Sequence, residues 1–91
     1  MRDLAGKGAL ITGAASGIGR GMARAFTEAG MRLVLADLEA DPLAEVAADL
    51  RNGGADVHVL TLDVTDRAAM MAAASDVAAT LGKLHLLCNN A

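Results

Sequence analysis

Three glycines, Gly13, Gly17 and Gly19, stand in the run TGAASGIG between an apolar stretch, GALIT, and a segment of helical period. Glycine at such a strand-to-helix junction permits a tight turn, lets the backbone approach a phosphate closely, and allows the helix to pack on the strand. Free N–H groups and the positive end of the helix dipole then face the anion. The spacing is not the G-x-G-x-x-G of the general dinucleotide fingerprint. The Gly-Lys-Ser/Thr that an ATP or GTP P-loop needs is also absent. A phosphate site is implied, and ATP chemistry is not. Asp37 closes the next apolar run, at roughly the 20-residue distance where a carboxylate can accept from both hydroxyls of a ribose and repel a 2′-phosphate. Asp63 follows the third such run, and Asn89 and Asn90 follow the fourth. A single Asp after a strand is usually a turn residue. Four polar or glycine-rich strand ends along one edge make a ligand site.

The elements that must position these residues are legible from periodicity. Apolar, strand-like runs occupy 7–12 (KGALIT), 32–36 (RLVLA), 56–62 (DVHVLTL) and 84–88 (LHLLC), separated by helical segments. In the first helix Ile18, Met22, Ala25, Phe26 and Ala29 are expected on the buried face. In the second that face is Leu43, Val46, Ala47 and Leu50. Asp41 is expected as the N-cap of the second helix, with Pro42 at its first position and Gly53 as a left-handed residue past its end. The third helix, about 66–81, is too rich in alanine for its buried face to be chosen. The order β-α-β-α-β-α-β predicts an α/β fold, a Rossmann-like doubly wound parallel sheet. Its ligand site should lie at the carboxyl ends of the strands, where the crossovers change face.

Composition removes other function classes. Of 91 residues one is aromatic, Phe26, and 21 are alanine, so no base-stacking platform exists. With a net charge of −3 as well, neither nucleic acid nor an anionic membrane is an expected partner. No stretch approaches the length of a membrane span. The single cysteine, Cys88, can make neither an internal disulfide nor a zinc site, which fits a cytoplasmic setting, and it reads as a structural thiol. His58 and His85 lie within strands without metal-ligand spacing and read as sheet residues, so no metal site is assigned.

TGAASGIG resembles the T-G-x-x-x-G-x-G motif of the short-chain dehydrogenase/reductase family, and the terminal NNA resembles the start of that family's N-N-A-G. LDV at 62–64 fits the family's acidic and small aliphatic pair near the adenine. The resemblance spans the whole chain and implies hydride transfer between a nicotinamide and an alcohol or carbonyl substrate. By resemblance, Thr12 would brace the fourth strand's NNA, and Gly13, Ser16, Gly17, Ile18 and Gly19 would wrap the pyrophosphate and adenosine ribose. Asp63 and Val64 would flank the adenine, while Asn89, Asn90 and Ala91 would line the ribose floor. Relatives that prefer NADP carry a basic residue where this chain has Ser16 or Leu38, so NAD is expected over NADP, with Asp37 and Leu38 at the discriminating position. Arg20 and Arg24 lie on the first helix and could approach a phosphate, although an exposed face is the expected place for Arg24.

The family's catalytic Ser, Tyr and Lys have no counterparts here; the chain contains no tyrosine. Residues 1–91 are therefore expected to be the N-terminal part of one dinucleotide-binding domain, cut between the third and fourth residues of the N-N-A-G motif, inactive alone and continuing past Ala91. Relatives are commonly dimers or tetramers, so a homo-oligomer is expected of the complete protein. A non-catalytic NAD-binding or sensing module is the alternative. A methyltransferase core would carry an acid ahead of its glycines, where this chain has Ile11 and Thr12. The substrate is not written in these residues.

Overall fold

β1 (Gly8–Thr12), β2 (Arg32–Asp37), β3 (Val57–Thr61) and β4 (Leu84–Asn89) form one sheet in the order β3-β2-β1-β4, with every neighbouring pair parallel. The computed structural model describes residues 5–63, 65–82 and 84–89. α1 (Gly17–Glu28), α2 (Ala40–Asn52) and α3 (Arg67–Leu81) are the three connections. Parallel strands need such crossovers, and the chain steps outward from β1 to β3 before returning to the far side of β1 for β4. That reversal sets the carboxyl ends of β1 and β4 side by side, with Thr12 opposite Asn89.

Helices lie on both faces of the sheet and bury its central strands, and the alternation along each strand assigns residues to one face or the other. Ala9, Ile11, Leu33, Leu35 and Val57 pack with Ala23 of α1 and with Leu43, Val46, Ala47 and Leu50 of α2. Leu10, Val34 and Ala36 pack with Val77 and Leu81 of α3. The face expected for α2 is thus the one it buries. In α3 the buried positions are Ala73, Val77 and Leu81, at helical i, i+4, i+8 spacing.

α1 departs from expectation. Ile18 is 71% exposed, Ala25 and Ala29 are exposed, and the buried residues are Gly19 and Ala23, with Met22 and Phe26 half-buried beside them. Small residues win this face because the helix lies hard against the turn that precedes it. A Cβ on Gly19 would clash with the Gly13 carbonyl oxygen and lie 2.8 Å from Ala14 Cα. Apolar periodicity rewards large side chains and misses a contact made by having none.

The ends of α2 also differ. Its N-cap is Glu39, without a side-chain cap bond, so Asp41 and Pro42 fall inside the first turn. Proline is tolerated there because the first-turn N–H groups have no intrahelical acceptor. At the other end Gly53 has φ −86 and Gly54, at φ +91, is the left-handed residue, its N–H donating to the Arg51 carbonyl.

Arginines lock the edge opposite the site. Arg32 pairs with Asp56 at 2.9 Å and donates to the carbonyls of Thr80 and Leu81, which fastens β2 to the end of α3. Arg51 donates to the Val57 carbonyl from both Nε and Nη2, joining α2 to β3.

Candidate functional site

The glycine turn is shaped by its own hydrogen bonds. Gly13 has φ +63, a conformation that L side chains resist, and it turns the chain out of β1. Ser16 closes the turn: its N–H donates to the Gly13 carbonyl at 3.1 Å and its hydroxyl donates to the same oxygen at 2.8 Å. The Ser16 hydroxyl oxygen also accepts the Gly19 N–H at 3.1 Å, making Ser16 the N-cap of α1. Of the helix's first amides, those of Gly17 and Ile18 donate to no acceptor among the described residues. A Cβ built on Gly17 meets nothing within 4 Å, and α1 has no acidic residue in its first turn. Two open donors at the positive end of a helix, beside a residue without a side chain, suit an anion.

β2 delivers Asp37 to the same turn. Asp37 Oδ2 accepts the Ala15 N–H at 3.0 Å, and its Oδ1 accepts the Glu39 N–H at 3.1 Å. One further bond, Ala14 N–H to the Ala36 carbonyl at 3.1 Å, ties the loops after β1 and β2. Leu38 beside it is 65% exposed, as is the larger part of Ile18, so the turn is flanked by apolar side chains with no protein cover. Ionised carboxylate oxygens together offer about four acceptor sites, so the two backbone bonds leave Asp37 free capacity for hydroxyl donors.

Asp63 follows β3 and is exposed; Thr65 donates to its Oδ1 from hydroxyl and backbone, at 2.6 and 2.9 Å, and this holds the carboxyl below its usual range. Asn89 ends β4 opposite Thr12, whose hydroxyl donates to the Cys88 carbonyl at 3.4 Å. This bond ties β1 to β4 at the residue before the NNA segment that Thr12 is expected to brace. Val64, Asn90 and Ala91 lie outside the described residues. Cys88 is half-buried, and burial pushes its thiol up. Gly13, Ser16, Gly17, Gly19 and Asp37 are therefore brought together at one sheet edge, with Ile18 and Leu38 beside them.

Arg24 stands exposed as expected. It and Arg20 line a crevice between α1 and α2 with Val46, Asp49 and Leu50. Arg20 Nε donates to the Ala15 carbonyl at 3.2 Å. Sequence reasoning missed this bond and the Asp37 bond to Ala15, because backbone partners leave no mark in residue type. No helix among the described residues is long and apolar enough to cross a membrane.

Residues 7–91 match the family model described as short chain dehydrogenase. Over 90 residues the chain is 39% identical to a C alpha-dehydrogenase of Sphingobium sp. (strain NBRC 103272 / SYK-6), covering 99% of this chain and 30% of that protein. It is 38% identical over 88 residues to a short chain dehydrogenase/reductase of Colletotrichum higginsianum, covering 97% of this chain and 33% of that one. The crystal structure of a short chain dehydrogenase/reductase from Burkholderia phymatum in complex with NAD matches with a TM-score of 0.91 at 42% identity, covering 96% of this chain and 31% of that chain. The chain spans about a third of the length of these relatives.

Proposed function

Because this chain belongs to the short-chain dehydrogenase family, we propose that residues 1–91 are the N-terminal part of the dinucleotide-binding domain of an NAD-dependent oxidoreductase acting on an alcohol or carbonyl substrate. The observation that carries the reading is the meeting of Asp37 with the glycine turn, where a carboxylate stands beside two open helix-start amides. These residues fit a dinucleotide. Gly17 and Ile18 N–H groups donate to the pyrophosphate, and Gly17 leaves the space a phosphate oxygen needs. Asp37 accepts from the adenosine ribose hydroxyls with the lone pairs its backbone bonds leave. By resemblance to the family, Asp63, Val64, Asn89, Asn90 and Ala91 would complete the adenine and ribose surface.

When bound, the dinucleotide supplies the nicotinamide that gives or takes the hydride. This chain's residues hold it and keep its phosphates fixed; none of the 91 is assigned a proton-transfer role. NAD is favoured over NADP because Asp37 repels a 2′-phosphate and neither Ser16 nor Leu38 offers it a cation. The relative captured with NAD supports the same choice. A single unpaired thiol supports a cytoplasmic setting, and assembly as a dimer or tetramer is proposed for the complete protein.

Calorimetric titration of the complete protein with NADH, NADPH and S-adenosylmethionine tests the reading. Binding of NADH that is tighter than NADPH and weakened by Asp37→Ala is expected. Preference for S-adenosylmethionine, or no dinucleotide binding by a folded protein, overturns it.

A further inference from the structure

The two peptide planes that meet at Ala15 are each held by a different side chain. The plane between Ala14 and Ala15 presents its N–H to Asp37 Oδ2 at 3.0 Å. The plane between Ala15 and Ser16 presents its carbonyl to Arg20 Nε at 3.2 Å. The same second plane carries the Ser16 N–H that closes the turn onto Gly13. Rotation of this plane would break the turn closure and move the Ser16 cap away from Gly19. No other side chain holds the Ala15 carbonyl among the bonds the described residues make. Arg20 also lines the crevice facing α2, with Arg24, Val46, Asp49 and Leu50.

We propose that Arg20 is a positioning residue for the dinucleotide: its Nε–H fixes the Ala15–Ser16 peptide and so presets the glycine turn, rather than its charge meeting a phosphate. The inference rests on the dinucleotide reading above. A turn already locked in its binding shape loses less conformational freedom when the ligand arrives, and affinity rises accordingly. Arg20 also lies on the helix itself, four residues past the N-cap Ser16, so the same rigid element that aims the amides of Gly17 and Ile18 fixes the peptide ahead of them.

Side-chain chemistry separates a donor from a charge. Glutamine places its amide nitrogen where arginine places Nε, keeping the donor and losing the charge. Lysine keeps the charge one atom farther out and puts a methylene at that place; methionine has neither. All three are good helix formers, so helix propensity changes little among them. The test is NADH affinity of the complete protein by fluorescence titration, with hydrogen exchange of the Ala15 and Ser16 amides measured without cofactor. Arg20→Gln should bind as the parent does, while Arg20→Met and Arg20→Lys bind about fivefold more weakly, the loss of one modest hydrogen bond. Those two variants should also exchange the Ser16 amide faster before cofactor is added, with kcat at saturating cofactor unchanged. A parent-like Arg20→Lys with a weakened Arg20→Gln would make Arg20 a charge contact, and four equal affinities would leave the arginine without a role; either overturns the proposal. If the parent itself binds no dinucleotide, the functional reading fails, which is a different result.

Discussion

Asp37 Oδ2 accepts the backbone N–H of Ala15 at 3.0 Å, so the carboxylate proposed to read a ribose also holds the turn proposed to bind the phosphates. Its second oxygen holds Glu39 N–H at the start of α2. Removing this carboxylate therefore does two things at once. Asp37→Ala combined with Leu38→Arg should shift the kcat/KM ratio toward NADP by about tenfold or more, since a repelling charge is exchanged for a phosphate partner. The same variant should lose about 1–2 kcal/mol of stability without cofactor, from two bonds to a charged acceptor. Leu38→Arg alone, at a side chain 65% exposed, should gain part of the NADP activity at a stability cost within about 0.5 kcal/mol. Urea unfolding beside steady-state kinetics with both cofactors checks this; an unchanged preference in the double variant refutes the assignment of Asp37.

The glycines of α1 should separate ligand space from packing space. Gly17→Ala adds a methyl into open surroundings, so stability should hold while NADH affinity falls about tenfold, because the methyl would occupy the space proposed for the phosphates. Gly19→Ala drives its methyl into the Gly13 carbonyl and Ala14, and should cost about 1–3 kcal/mol of overpacking. Gly21→Ala, open and inside the helix, should gain about 1 kcal/mol and leave affinity alone. Gly13 would confuse the comparison, since at φ +63 any side chain there is strained whatever it touches. Thermal unfolding with and without NADH reads all three.

Strand positions and the buried face of α2 were legible because each is a statement about water: large apolar residues recur at the period of the element that hides them. The position of Asp37 was legible for the same reason, as the first polar residue after a buried strand. What escaped was set by shape or by the backbone. The face of α1 is chosen by Gly19 and Ala23, whose smallness lets the helix close on the turn, so the larger Ile18 is left outside. In α3 alanine surrounds the helix, and only the sheet's Leu10, Val34 and Ala36 decide that Val77 and Leu81 face inward. Arg20 read as a residue that could approach a phosphate, and its bond to Ala15 escaped because the partner is a carbonyl, a group every residue carries.

Acid should loosen the edge away from the site. The Arg32 guanidinium, hydrogen-bonded to Asp56, holds that carboxyl below the usual range, with His58 adding to the effect at 3.1 Å. A carboxylate whose folded pKa is depressed stabilises the fold above its unfolded value, near 4, and that contribution disappears as pH falls through the folded value. Asp56→Asn should therefore cost about 0.5 kcal/mol at pH 7, an exposed pair's worth, and nothing once pH drops well below 4. The difference should shrink in high salt. Parallel urea titrations of parent and variant from pH 3 to 7 would show it; a cost that persists in acid would assign Asp56 a role other than its charge.

Thr12 links the turn to β4, and the thiol next to its partner reports on that link. The Thr12 hydroxyl donates to the carbonyl of Cys88, in a threonine that is itself buried. Thr12→Val keeps the volume and removes the donor, taking this bond from the carbonyl end of β4 at a cost of about 1 kcal/mol. β4 reaches Asn89 one residue later, so any fraying there would disturb the proposed ribose surface. Burial pushes the Cys88 thiol up, so in the parent its alkylation by iodoacetamide should be slow at pH 7 and rise through a midpoint above the ordinary thiol value. Local opening of the strand end would expose the sulfur, and Thr12→Val should be alkylated several times faster at the same pH, while Thr12→Ser, which keeps a hydroxyl, should stay near the parent. Added NADH should slow the reaction in all three proteins by closing the strand end under the ligand. Equal alkylation rates in Thr12→Val and the parent would mean that the β-ladder, and not the threonine, sets the end of β4.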